Sequence, residues 1–224
     1  MVKFSTKKSD ISVEASFSGP AFDLLKPESA LHEKVTERLA EFCQITGDDI
    51  RLNRDAVPLS NASVTYALAA LDGAARVSID KAQIAFFNAH LLRTEQIASS
   101  SLALLNAVSE VIPNSSYQNF VVRGNIHCVL EGVEPLAHTS RYVSPVPEGF
   151  EKTIGNAVMY YFGQEGPRSY SSVGVDMSGE FSDCVYVTVA IGYDSTKIGM
   201  DELPEPVIQH YNQLLSVIGF EPEQ

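Results

Sequence analysis

A chain of 224 residues with 45% apolar and 20% charged side chains has ordinary globular composition, and folding at this length buries roughly 70% of the unfolded chain's surface. Sixteen basic against 28 acidic residues give a formal charge of −12, and only Lys3, Lys7 and Lys8 cluster among the cations. A surface of that sign repels phosphate, which argues against nucleic acid and against an anionic membrane as partners.

No apolar run approaches the ~18 residues of a membrane span. Ser9, Asp10, Ser12 and Glu14 interrupt what would have to be a continuous apolar signal core. Cys43, Cys128 and Cys184 are odd in number, far apart and each set in an apolar pattern, so they read as buried thiols and not as a disulfide framework. The expected location is the cytoplasm, where the sequons at Asn61 and Asn114 would be accidental.

The first periodic segment, Asp10 to Phe17, sends Ile11, Val13, Ala15 and Phe17 to one side and Ser12, Glu14 and Ser16 to the other, the alternation of a half-buried strand. From Ser29 the period changes: Leu31, Val35, Leu39 and Phe42 recur at helical spacing and Gly47 follows as a stop. The stretch from Gly47 to Asn61 is a long connection holding Arg51 and Arg54 among acidic residues, with room for a short edge strand through Ile50 and Leu52. Paired arginines on a long loop could grip a carboxylate or phosphate, while self-neutralised surface charge explains the same residues.

Val64, Tyr66 and Leu68 begin a hairpin whose turn is Asp72-Gly73 and whose return carries Val77 and Ile79. A further short strand fits Ile84 to Phe87. Thr94 can cap a second helix with the stripe Ile97, Ser101, Leu104, Leu105, Val108 and Ile112, ended by Pro113. Tyr117 to Glu131 reads as a long strand. The span 132–151 has three prolines and no period, the composition of a connection. Beyond it, Thr153 to Phe162, Tyr170 to Met177 and Cys184 to Tyr193 read as strands. A third helix runs from about Pro206 to Ile218 on the stripe Val207, Tyr211, Leu214, Leu215 and Ile218.

These elements predict an α+β fold: mainly antiparallel sheet of about seven or eight strands, with three amphipathic helices on one face. The domain reading is an N-terminal half at 1–131, the connection at 132–151 and a βββα half at 152–224, packed as one globular unit.

The neighbours His127 and Cys128 invite a catalytic or metal reading, but adjacent residues on a strand point apart, and base with nucleophile or a shared metal needs convergence. Alternation puts Cys128 with the core and groups Arg123, Asn125, His127 and Glu131 on the other face, a polar stripe able to line a groove, meet a partner or simply face solvent. On Cys184 to Tyr193 one face is wholly apolar and the other, with Tyr186, only mildly polar, so this strand is expected to be covered on both sides by the first half, another subunit or a ligand. No zinc spacing, EF-hand, glycine-rich phosphate loop or GxSxG elbow occurs, and no metal, cofactor or catalytic set is assigned.

The functional expectation is a non-enzymatic protein that binds another protein or assembles with itself. The alternative is a small-molecule binder or enzyme with a pocket between sheet and helices. The residues singled out for either are Arg123, Asn125, His127, Glu131, Arg51, Arg54 and Tyr186.

Overall fold

The alternation seen at Ile11 to Phe17 extends further toward the N-terminus, and β1 (Phe4–Phe17) is one of two 14-residue strands at the centre of the molecule. The structure, a computed structural model, describes residues 1–22, 26, 29–53, 62–112, 117–142 and 156–221. In chain order β1 is followed by α1 (Leu31–Leu39), β2 (Ile50–Asn53), β3 (Ser63–Leu68), β4 (Gly73–Ser78), β5 (Lys81–Phe86) and α2 (Thr94–Val111). Then come β6 (Tyr117–Leu130), α3 (Pro135–Thr139), β7 (Val158–Phe162), β8 (Arg168–Met177), β9 (Cys184–Asp194) and α4 (Pro204–Val217).

All nine strands form one antiparallel sheet in the order β2-β3-β4-β5-β1-β6-β9-β8-β7. The fold is therefore α+β as expected, with nine strands and four helices among the described residues in place of seven or eight and three. The additional strand is β2, the short edge strand that the sequence left as an option through Ile50 and Leu52. The additional helix is α3, a single turn opened by Pro135, which is too short to show a helical period inside the connection. The sequons at Asn61 and Asn114 lie outside the described residues.

The topology has an approximate two-fold relation. Each half begins with a 14-residue central strand, crosses through a helix, returns through an antiparallel meander toward that strand and ends in a long helix. The halves meet where β1 pairs with β6 over Phe4↔Leu130 to Phe17↔Tyr117, so this symmetry divides the chain just before β6.

One face of the sheet is apolar, and the helices cover it. Leu31, Val35 and Leu39 of α1, Leu104, Leu105 and Val108 of α2 and Leu214 and Leu215 of α4 join Ile84, Phe120, Ile126, Val187 and Ile191 in a single core. Each such side chain, taken fully out of water, contributes about 1.5–3 kcal/mol. Polar handles fix the helices to the same face. The Tyr66 hydroxyl meets His32 Nδ1 of α1 at 3.1 Å, Tyr117 donates to the Leu105 carbonyl of α2, and the Tyr193 hydroxyl meets His210 Nδ1 of α4 at 2.8 Å. Burial pushes all three phenols well above their ordinary pKa, so they stay neutral.

Two local readings are adjusted. The turn at Asp72-Gly73 exists, but the left-handed residue is Asp72 (φ 43°), after a 3-10 turn at Ala69–Leu71. Gly73 opens β4 and lies so close to the Ala85 carbonyl of β5 that a Cβ would collide with it. Helix α2 is capped at Arg93, not Thr94, because the Gln96 side chain reaches back to accept the Arg93 N–H at 3.1 Å.

Among the described residues no helix is long and apolar enough to cross a membrane.

Candidate functional site

Among the described residues the other face of the sheet carries no helix. Pleating sends Arg123, Asn125 and His127 of β6 onto it, opposite Ala190, Thr188 and Tyr186 of β9 on one side and Ser12, Asp10 and Lys8 of β1 on the other. Cys128 is fully buried on the helix-covered face, so the two members of the His-Cys pair are separated by the thickness of the sheet. On β9 the helix-covered face is closed by Val185, Val187, Val189 and Ile191, while Tyr186, Thr188 and Ala190 remain half-buried, and among the described residues no helix covers them. Of the covers expected for this strand, the described residues of the chain itself supply one face.

The centre of the open face is an ion cluster. Glu14 of β1, 8% exposed, accepts from Lys81 Nζ of β5 at 2.9 Å and lies 3.6 Å from Arg123 Nη1 of β6. Three adjacent strands thereby converge on one carboxylate, and its two cations are half-committed to it.

At one end of this face the β8–β9 turn folds over His127. The Ser178 hydroxyl is 2.9 Å from His127 Nδ1, Glu180 is 3.7 Å from Nε2, the Phe181 ring meets the imidazole edge-on at 5.2 Å, and the Tyr186 ring lies at 4.9 Å. A β-bulge at Lys7 lets consecutive lysines act on the same turn. Lys7 bonds Asp183 at 2.9 Å with its ammonium 4.5 Å above the Phe181 ring, and Lys8 bonds Glu180 at 3.0 Å. These hydrogen bonds raise both lysine pKa values and hold the Asp183 carboxyl below its usual range. His127 therefore engages the β8–β9 turn through the Nδ1 hydrogen bond, with Nε2 facing the Glu180 carboxylate without bonding it.

At the opposite end, Met159 of β7 and Tyr170 of β8 lie flat on the face. Glycine makes this possible, since a Cβ on Gly192 would strike the Tyr170 ring and one on Gly174 would press on the Met159 thioether. Tyr161 of β7 projects beside them, 79% exposed.

Of the residues singled out from sequence, Arg123, Asn125, His127 and Tyr186 are brought together. Glu131 is not, because β6 ends at Leu130 and Glu131 turns away with its N–H bonded to the Lys3 carbonyl. Arg51 also faces the open side, but on edge strand β2, five strands from β6 and so roughly 24 Å away. Arg54 lies outside the described residues. Sequence reasoning missed Lys7, Lys8, Glu14, Lys81 and Phe181 as parts of this face. The contacts of Lys7 and Lys8 span 176 and 172 residues, which no local period reports, although the grouping of Lys7 with Lys8 was visible.

A shallow open groove of about 460 Å³ lies between α1 and α2, lined by Glu37, Arg38, Glu41, Ser99 and Asn106 among others, and none of the singled-out residues reaches it. Among the described residues no group of three or more His, Cys, Asp or Glu side chains is placed to hold a metal ion.

No family model matches the chain, and no curated protein matches it. Among solved structures it is similar to Methanococcus jannaschii TBP, at 16% identity over 95% of this chain and 98% of that one, with a TM-score of 0.36. The expectation that nucleic acid is excluded as a partner is withdrawn. The physical flaw is that net charge averages over the whole surface: the open face gathers Lys8, Arg51, Arg76, Lys81 and Arg123 on its strands, against Asp10, Glu14, Asp176 and Asp194, and does not share the strong negative balance of the chain.

Proposed function

We propose that this chain is a non-enzymatic binding protein whose contact surface for a protein partner is the open face of the sheet. The observation that carries the reading is the two-sidedness of β6 and β9: one side is sealed by helices, and the other presents half-buried Tyr186, Thr188, Ala190 and Asn125 with no helix above them among the described residues. Eight strand spacings of about 4.8 Å make the face roughly 38 Å wide, ample for the ~800 Å² per partner of a standard interface. Aromatic and Met side chains flank a polar middle, a composition suited to protein contact. Lys7, Lys8, Lys81 and Arg123 are paired with carboxylates of the same chain, so the face offers a partner balanced charge and hydrogen-bonding groups.

The test is a photo-crosslinking residue at Thr188, with a control at Glu205 on α4, followed by mass spectrometry of adducts formed in cell extract and in reconstituted mixtures. A discrete protein adduct from Thr188 that is absent from the control, and that re-forms between purified components, is the expected result. A nucleic-acid adduct, or none from Thr188, overturns the reading.

A further inference from the structure

The two edges of the sheet are not alike. Edge strand β2 has the sequence IRLN, four residues with Arg51 and Asn53 on the open face, the short and charged form by which sheets discourage further pairing. Edge strand β7 has the sequence VMYYF, with no charge, no proline and no glycine. It pairs with β8 on one side, and among the described residues no strand pairs with its other side. Its open-face residues are the most exposed apolar side chains on any strand of this face: Met159 at 43% and Tyr161 at 79%, beside Tyr170 at 39%.

We infer that β7 is a self-pairing edge, and that a second copy of this chain adds to it antiparallel, joining two nine-stranded sheets into one. The occupant follows from the symmetry of the segment. A two-fold axis on Tyr160 pairs residues whose numbers sum to 320, so Met159 meets Tyr161 of the partner subunit on the open face. Val158 meets Phe162 of the partner subunit on the helix-covered face, and Tyr160 meets its own counterpart. Every cross-strand pair is apolar or aromatic, and the Met–Tyr pair adds a sulfur–aromatic contact on both sides of the axis. Opposite residues in an antiparallel ladder share a face, so the open faces of the two copies become continuous. The same operation centred on Arg51 of β2 would set two guanidinium groups against each other. A five-residue strand pair is a small interface, so the assembly is a weak, reversible dimer.

The test uses the full chain. Sedimentation velocity over a rising concentration series should show a monomer–dimer equilibrium, and Tyr161→Lys, at a side chain too exposed to matter for folding, should weaken it by roughly tenfold or more. The register is read by mixing Met159→Cys with Tyr161→Cys under mild oxidation, since the native cysteines are all buried. Opposite Cα atoms lie about 4.5–5.5 Å apart, inside disulfide range, while identical positions across the axis lie at about 7–8 Å. The mixture should therefore cross-link several-fold faster than either variant alone. A monomer at every concentration, or a mixture no faster than its components, overturns the inference. Its failure is separable from that of the proposed function, because crosslinking from Thr188 to a partner protein does not depend on β7.

Discussion

His138 is buried in a way that disfavours its charged form, which makes stability fall between neutral and mildly acidic pH. The imidazole is 1% exposed, between the rings of Tyr142 and Phe220, and its Nε2 donates to the Ile218 carbonyl at the end of α4, 3.1 Å away. Among the described residues the Nδ1 atom has no hydrogen-bond partner. A second proton would create a buried donor without an acceptor and a desolvated cation near Arg141, so the pKa is lowered, chiefly by burial. The unfolded chain titrates near 6.5. Above that value both states are neutral and the linkage is silent. Below it the unfolded state takes up a proton that the folded state resists, so stability falls with pH until the folded pKa is reached. From pH 7 to 5.5 the loss amounts to about 1.2 kcal/mol for a site that stays unprotonated, or about 2–5 °C in Tm for a chain of this size. His210, whose pKa is also lowered by burial and by Arg168, adds a smaller share because it is partly exposed. Carboxyls held low, such as Asp183 and Asp194, act only at more acid pH. Denaturant titrations at the two pH values on wild type and His138→Gln, which keeps an N–H for Ile218 but cannot titrate, isolate the effect. Equal pH-dependent losses in the two proteins would refute the reasoning.

Two further outcomes are expected. Glu14→Gln removes a charged acceptor from Lys81 and Arg123; because those cations are 40% and 45% exposed, the loss is only about 1 kcal/mol, and urea unfolding of Glu14→Gln, Lys81→Met and the double variant should show less-than-additive effects. Leu104→Ala, at a fully buried α2 position over the sheet, should cost about 2–5 kcal/mol by the same assay while leaving crosslinking from Thr188 intact under native conditions.

The parts of the fold legible in sequence are those governed by a local period. Both long helical stripes and the face assignment of β6 follow from spacing alone, since a side chain's direction is fixed by pleat or helical turn before any tertiary contact forms. β2 and α3 are too short for a period to declare itself, and the cap at Arg93 depends on a reach-back by Gln96 rather than on the residue type at the cap. Pairing order was illegible for a different reason. β1 bonds β5, whose paired residues lie 65 to 75 positions further on, and β6, whose paired residues lie 100 to 126 positions further on, and an apolar alternating strand carries no label for its neighbours.

The site shows the same division. Arg123, Asn125, His127 and Tyr186 were found because one of two adjacent strands sets each position, but Glu14 was assigned only as the outward side of a half-buried strand, and its role appears when Lys81 and Arg123 arrive from two other strands. Charge misled most at the largest scale. Helices α1 and α4 and the turns before α4 carry Glu33, Glu37, Asp201, Glu202 and Glu205, on the side of the molecule away from the open face. A ligand approaching within a Debye length of about 8 Å responds to the strands beneath it and not to the sum over the chain. Near Lys8, Lys81 and Arg123 that local field is set by pairs that largely cancel, so under the proposed function a partner would be chosen by shape and hydrogen bonding more than by attraction at a distance. The rate of partner association should then depend only weakly on salt.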